Sequence, residues 1–250
     1  MKNAGSKTKM INSLSENLSQ AIVKYWNTRQ KQADRQKEAG RFDQGARAAV
    51  TGGAHMNGFV ELLKDLIVEA GADPANVFTN SHLELPGFFR PTKEWDLLVV
   101  KDSQLVVALE MKSQVGPSFG NNFNNRTEEA MGSALDLWTA YREGAYNKTI
   151  KPWLGYLFML EDCEASRKPV HVSEPHFAVF PEFKLSSYGK RYELFCRKLM
   201  RERHYDVTAF LLSDRVRGLK GEYAEPAEDM AFVNFVKSLV SQIENFGVSR

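Results

Sequence analysis

Cysteine is scarce in this 250-residue chain, and the two present, Cys163 and Cys196, form no CxxC pair and have no histidines at zinc-finger spacing. They read as two reduced thiols, which excludes a disulfide framework and a structural zinc site as organisers of the fold. No run approaches the roughly 20 consecutive apolar residues of a membrane helix. The opening residues Met1-Lys2-Asn3-Ala4-Gly5-Ser6-Lys7 lack the apolar stretch of a secretory signal, so a cytoplasmic protein without membrane contact is expected. No Gly-rich phosphate loop precedes a helix and no nucleophile elbow is present, which argues against a small-molecule enzyme of the common kinds. Repeats and low-complexity tracts are absent as well.

A single-sign charge excess is also missing, since the net charge is only +2. Its distribution is uneven. The first part of the chain carries Lys2, Lys7, Lys9, Lys24, Arg29, Lys31, Arg35, Lys37, Arg41 and Arg47 against Glu16, Asp34, Glu38 and Asp43. A second basic zone holds Lys190, Arg191, Arg197, Lys198, Arg201 and Arg203. Such clusters can follow a phosphate backbone through counterion release, and they can equally be solvated helix faces. With 43% hydrophobic and 26% charged residues, the length permits a sizeable core. The expected organisation is an N-terminal helical arm over residues 1–40 and a main domain over 41–250.

Apolar periodicity predicts helices at about residues 11–37, 56–70, 126–143, 188–204 and 226–246. Strands are predicted at about 95–101, 105–111, 153–160 and 207–212, with short ones at about 77–79 and 177–180. The Gly/Ala-rich stretch from Gly45 to Gly53 and the Gly/Asn-rich stretch from Gly116 to Arg126 read as loops. The core order is helix, three strands, helix, strand. It predicts an α/β (α+β) fold: a mixed central sheet flanked by helices on both faces, with added N- and C-terminal helices. Strands without period-two alternation, such as Leu97-Leu98-Val99-Val100, fit a sheet covered on both sides.

The chemistry concentrates in one hairpin, Trp95-Asp96-Leu97-Leu98-Val99-Val100-Lys101 followed by Leu105-Val106-Val107-Ala108-Leu109-Glu110-Met111-Lys112. If Asp102-Ser103-Gln104 is the loop, Lys101 pairs with Leu105 and Asp96 lies opposite Glu110, with Lys112 on the same face. A two-residue loop would shift the register by one and send the carboxylates to opposite faces. Two adjacent carboxylates repel, and a hard divalent cation such as Mg²⁺ relieves the repulsion while also binding phosphate oxygens. Lys112 can hold a water or take part in proton transfer. The sum is a site for metal-assisted hydrolysis of a phosphate ester.

The competing reading is a structural ion-pair group of Asp96 and Glu110 with Lys93 or Lys112. The second Glu-x-Lys, Glu182-Phe183-Lys184, follows Pro181 and has no acid leading a neighbouring strand, so it reads as a chance match. Glu61, on the helix containing Asn57-Gly58-Phe59-Val60, is a further candidate for the cleft; the alternative is an ordinary helix-surface glutamate.

The layout resembles the PD-(D/E)xK nuclease superfamily. Within it, Arg90-Pro91-Thr92-Lys93-Glu94-Trp95-Asp96 through Glu110-Met111-Lys112-Ser113 resembles the XhoI-type restriction endonucleases. The likeness continues through Val115-Gly116-Pro117-Ser118-Phe119-Gly120-Asn121-Asn122-Phe123-Asn124-Asn125-Arg126 and in Glu161-Asp162-Cys163-Glu164, Pro175-His176-Phe177 and Arg191-Tyr192-Glu193. It covers residues 41 to 205 most closely; no proline directly precedes the acid, Trp95 standing there instead.

The resemblance implies a homodimer that cuts both strands of palindromic double-stranded DNA with Mg²⁺, at CTCGAG, leaving 5′ overhangs and 5′-phosphates. It assigns Asp96 and Glu110 as metal ligands and Lys112 as the catalytic lysine; Met111, directly after Glu110, is counted among the metal-binding positions. For DNA contact the first choices are Asn124, Asn125 and Arg126, amides suited to adenine and an arginine suited to guanine. Arg41, Gln44 and Arg47 come second. Gly/Asn-rich loops also use such residues for turn geometry alone. A partner methyltransferase is expected. The alternatives are another DNA nuclease of the superfamily, serving repair or a mobile element, and a DNA-binding protein of the same fold that does not cut.

Overall fold

A computed structural model describes residues 2–38, 53–147 and 151–248. Arg41, Gln44, Arg47 and most of the stretch from Gly45 to Gly53 lie outside the described residues, as does the expected boundary at 40/41. In chain order the elements are α1 (Lys2–Glu38), α2 (Asn57–Glu69), β1 (Val77–Phe78), β2 (Glu84–Pro86), β3 (Thr92–Glu94), β4 (Leu97–Lys101) and β5 (Gln104–Gln114). Then come α3 (Phe119–Arg142), β6 (Trp153–Glu161), the short α4 (Glu164–Arg167), α5 (Tyr188–Arg201), β7 (Val207–Ser213) and α6 (Phe232–Val248).

Five strands make one mixed sheet in the order β1-β4-β5-β6-β7. The β1–β4 and β4–β5 pairs are antiparallel, and β5–β6 and β6–β7 are parallel. Every residue of β6 is buried, as expected of a central strand with both faces covered. Alternate strand residues enter two separate cores. Leu97, Val99, Leu109, Met111, Leu157 and Leu211 meet Leu18, Ile22 and Tyr25 of α1, Phe59 and Leu63 of α2, and Phe235 and Leu239 of α6. Leu98, Ala108, Tyr156, Phe158 and Phe210 meet Ala134 and Leu137 of α3 and Tyr192, Phe195 and Leu199 of α5. Each buried Leu, Ile, Val, Phe or Met among them contributes about 1.5–3 kcal/mol, so both layers are integral to the sheet.

The hairpin turn differs from the expected three-residue loop. Lys101 pairs with Gln104, and the turn is Asp102-Ser103 alone. Both residues have left-handed backbone, φ 50° and 59°, the conformation a type I′ turn requires. By itself this turn would put Asp96 and Glu110 on opposite faces. A β-bulge cancels the shift: Val100 pairs with Leu105, but Val99 pairs with Val107 and Leu97 with Leu109. Val106 is the extra residue, and it and Val107 both enter the α1–α2–α6 core while Leu105 and Ala108 enter the other. Asp96 therefore comes opposite Glu110 after all, with its N–H donating to Leu109 O at 3.1 Å.

Other elements also depart from expectation. α3 begins at Phe119, so most of the stretch read as a loop between Gly116 and Arg126 forms its first turns. Low helix propensity of Gly and Asn is overridden there by packing: Phe119 stacks on Tyr188, and Phe123 meets Tyr192 edge-on at 4.9 Å. No strand forms at 177–180; Phe177 and Phe180 are exposed with no neighbouring strand. The last helix starts at Phe232, whose N–H is capped by Glu225 Oε1 at 2.6 Å, and the region before it holds only a short 3-10 turn, Glu228–Met230. The small β2–β3 hairpin carries no sequence signal, because Pro86 sits within it and the strands are three residues each.

Replacing Ser103 by Gly should relieve the left-handed strain and raise unfolding stability by about 0.5–1 kcal/mol in urea titration. An unchanged or lower midpoint would show that the turn is not strained.

Candidate active site

β1 pairs only with Leu98 and Val99, so it does not extend alongside the start of β4. Here the chain places Asp96, Glu110 and Lys112. Glu110 and Lys112 share the strand parity of Ala108 and project to the α3–α5 face. Asp96 Oδ2 accepts the Met111 N–H at 2.6 Å, which takes a backbone donor at the strand end and fixes the carboxylate in place. The Met111 side chain itself is buried in the core, so its backbone is what the site can use.

Glu110 is almost fully buried, at 3% exposure. Two lysines compensate it: Lys93 at 2.5 Å on one oxygen and Lys112 on the other. Lys112 also lies 3.8 Å from Asp96. Lys93, which the sequence suggests only as a possible structural partner, is a full member of the cluster. Its ammonium also lies over the Trp95 ring at 4.2 Å. The cluster is two carboxylates and two ammonium groups in one partly dry spot.

The charges resolve unequally. Burial pushes the Glu110 carboxyl up, but Lys112 and Lys93 outweigh it and hold it below the usual carboxylate range. Burial works against the Lys112 ammonium, yet Glu110 and Asp96 prevail and raise its pKa. Asp96 is pushed up to about 6, first by burial and then by Glu110, with Lys112 and the Met111 N–H only partly compensating. Of the two acids, Asp96 is the one whose charge is least satisfied.

A cleft of about 960 Å³ opens on this centre, lined by Asp96, Met111 and Lys112 together with α1 and the region where β5 hands over to α3. Of the expected DNA-contacting residues, Arg126 lines it, 3.0 Å from Glu129. Asn124 and Asn125 are exposed on α3 and do not line it. Glu61 is not brought to the centre: its side chain is 61% exposed and pairs with Lys24 on α1. Polar residues not singled out as site candidates also line the cleft, among them Arg29, Gln30, His55, Asn57 and Asn122. The corner at the end of β5 is braced by Glu161, which accepts the Gly116 N–H at 2.8 Å and both Arg215 donors at 2.5 and 3.2 Å.

A mixed five-stranded sheet between helical layers, with an acid leading one hairpin strand and Glu-x-Lys ending the next, defines the restriction-endonuclease-like class. The model for the family described as "Restriction endonuclease XhoI" matches residues 35–225, and the chain belongs to this family. It is 53% identical over 212 residues to the type II restriction enzyme BstVI of Geobacillus stearothermophilus, covering 83% of this chain and 95% of that one. It is 46% identical over 181 residues to the type II restriction enzyme XhoI of Xanthomonas vasicola, covering 72% of each. A third relative, the type II restriction enzyme AbrI of Azospirillum brasilense, is 49% identical over 159 residues, 63% of this chain and 71% of that one. No solved structure matches the chain. The protein is a type II site-specific deoxyribonuclease, and DNA is its partner. Among the described residues no helix is long and apolar enough to cross a membrane.

The Asp96 shift has a stability consequence in metal-free protein. Between the unfolded carboxyl value of 3.8 and about 6, the folded state holds a proton the unfolded state has lost. Stability attached to this group is therefore present at acid pH and lost as pH rises through about 6. Asp96→Asn should melt higher than the parent at pH 7, by on the order of 2 kcal/mol, with the gain shrinking towards pH 4. A variant that melts lower at both pH values would show that Asp96 is structural.

Proposed function

We propose that the enzyme hydrolyses DNA phosphodiesters with Mg²⁺ at the Asp96–Glu110–Lys112 centre, acting as a homodimer on a palindromic site. The carrying observation is the convergence of these three groups beside the cleft. Their chemistry fits a hard cation. Asp96 and Glu110 supply carboxylate oxygens, and the Met111 backbone adds a third position. Among the described residues no group of three or more His, Cys, Asp or Glu side chains clusters to hold a metal. A small acidic set leaves room for water and phosphate oxygens, as Mg²⁺ prefers. When bound, the cation would polarise the phosphodiester and lower the pKa of a water.

The protein's own groups then divide the work. Asp96, least satisfied in its charge, offers its carboxylate to the cation while the Met111 N–H keeps it oriented. Glu110, buried and paired, is the fixed pole of the site. In the metal-free site Glu110 and Asp96 hold Lys112 as an ammonium; from that place it can position water or phosphate, or take part in proton transfer.

CTCGAG is the expected sequence by resemblance to XhoI-type enzymes, and two copies related by a two-fold axis suit such a symmetric site. A host methyltransferase that protects the same site would accompany the enzyme. The chain's organisation as an N-terminal arm and a catalytic domain belongs to the same reading.

Digestion of DNA with Mg²⁺ followed by sequencing of the ends should give discrete fragments with 5′-phosphates inside CTCGAG; a smear, or another site, would overturn the specificity proposed. Asp96→Ala and Lys112→Ala should each lower cleavage by at least about 100-fold with specific binding retained, in keeping with the loss of a catalytic electrostatic group. Glu61→Ala should stay within about twofold of the parent, being a surface ion pair. Comparable losses in all three would place the centre elsewhere.

A further inference from the structure

Arg29 is a cation held in place by neutral groups. Its Nε donates to the Tyr25 hydroxyl at 3.3 Å and its Nη2 to Ser113 Oγ at 3.2 Å, and the guanidinium lies over the Tyr25 ring at 5.5 Å. No carboxylate pairs with it among the described residues, whereas every other buried or half-buried charge near the site has a partner: Glu110 with two lysines, Glu161 with Arg215, Arg126 with Glu129. Two bonds leave further donors of the five-donor fork uncommitted. Ser113 follows Lys112 directly on β5, so the anchor fixes Arg29 one residue along from the cutting centre, on the wall built by α1.

His55 stands on the same wall. Its ring meets Tyr25 edge-on at 5.5 Å. Three buried side-chain polar atoms lack a hydrogen-bond partner among the described residues: Gln32 Oε1, His55 Nδ1 and Tyr156 OH. Two of these, on Gln32 and His55, belong to residues lining the cleft beside Arg29. Buried polar groups are almost always satisfied, so two unpaired polar atoms on residues that line the cleft with Arg29 set this wall apart from the rest of the interior. Burial, with Arg29 and Lys112 nearby, keeps the imidazole neutral, with its pKa lowered to about 3. A neutral ring can donate one hydrogen bond without adding charge.

We infer that Arg29 and His55 form a phosphate subsite that grips the DNA backbone next to the phosphate being cut. Arg29 supplies the charge and a forked pair of donors, and His55 supplies one neutral donor. A phosphodiester oxygen pair matches that fork, as a carboxylate does. Both residues are positioning residues: neither is placed on the reacting atoms. The inference rests on the reading of the cleft as a DNA-cutting site.

Binding of a short duplex carrying the mapped cleavage site, with Ca²⁺ in place of Mg²⁺, tests it as a function of salt. Arg29→Gln should weaken binding about 10- to 100-fold, the range for a lost charged hydrogen bond. It should also reduce the slope of log affinity against log salt by about 0.9, the signature of one phosphate contact. His55→Ala should weaken binding with the slope unchanged. A set of duplexes with single neutral methylphosphonate linkages should contain one position that costs the parent at least tenfold and costs Arg29→Gln nothing more. Should that variant fail to fold, Arg29→Lys in the same set should lose part of the penalty at that one position. A parent-like slope in Arg29→Gln, or a penalty pattern identical to the parent's in either variant, overturns the subsite. If the parent neither binds nor cuts any duplex, the broader reading of the cleft has failed instead.

Discussion

Two carboxylates pressed together away from bulk water repel, and the structure around Asp96 and Glu110 is organised by that repulsion. Glu110 is the deeper of the two and takes both lysines, Lys93 and Lys112. Asp96 takes the backbone N–H of Met111 and a distant share of Lys112. The compensation is uneven, and the unevenness is chemically useful. A site in which both acids were fully paired would have little to offer a cation. One in which neither was paired would resist folding, since an unpaired buried charge costs several kcal/mol. The intermediate arrangement leaves a single oxygen-rich point at which added positive charge is favourable.

Bringing the acids together depends on β4 and β5 being in the right register, and that is where the sequence was both informative and misleading. Asp96, Glu110 and Lys112 were legible because a charged residue at either end of an apolar hairpin is conspicuous. The turn is one residue shorter than that register requires. Asp102 and Ser103 mark a polar turn, but they adopt left-handed backbone without a glycine, so their identity does not separate a two-residue turn from one that also takes in Gln104. The bulge at Val106 was equally silent, because valines on both sides of it give no break in pattern. The shorter turn and the bulge each shift the pairing by one residue in opposite senses, so Asp96 faces Glu110 as it would across a three-residue loop.

The sheet with helices on both faces was plain from the apolar strands and from helical spacing in α2, α5 and α6. The start of α3 was hidden because Gly and Asn ordinarily signal a loop; only the packing of Phe119 and Phe123 against α5 makes it helical. The cleft was hidden for a different reason. Arg29, His55 and Asn122 come from three distant parts of the chain, and no local pattern relates them. Glu61 shows the converse, since its helix packs where expected but this residue points away, to Lys24.

The composition of the cleft wall bears on how the protein holds itself together when it is working. Helix α1 is joined to the sheet by apolar side chains such as Leu18 and Ile22, with few directed links, Arg29–Ser113 and Trp26–Ser213 among them. A polyanion lying in the cleft would touch α1, the start of α2 and the β5–α3 junction at once, bridging layers that otherwise meet mainly through the core. By linkage, such a ligand adds its binding free energy to the fold. DNA seated in the cleft as proposed would then brace the fold as well as serve as substrate.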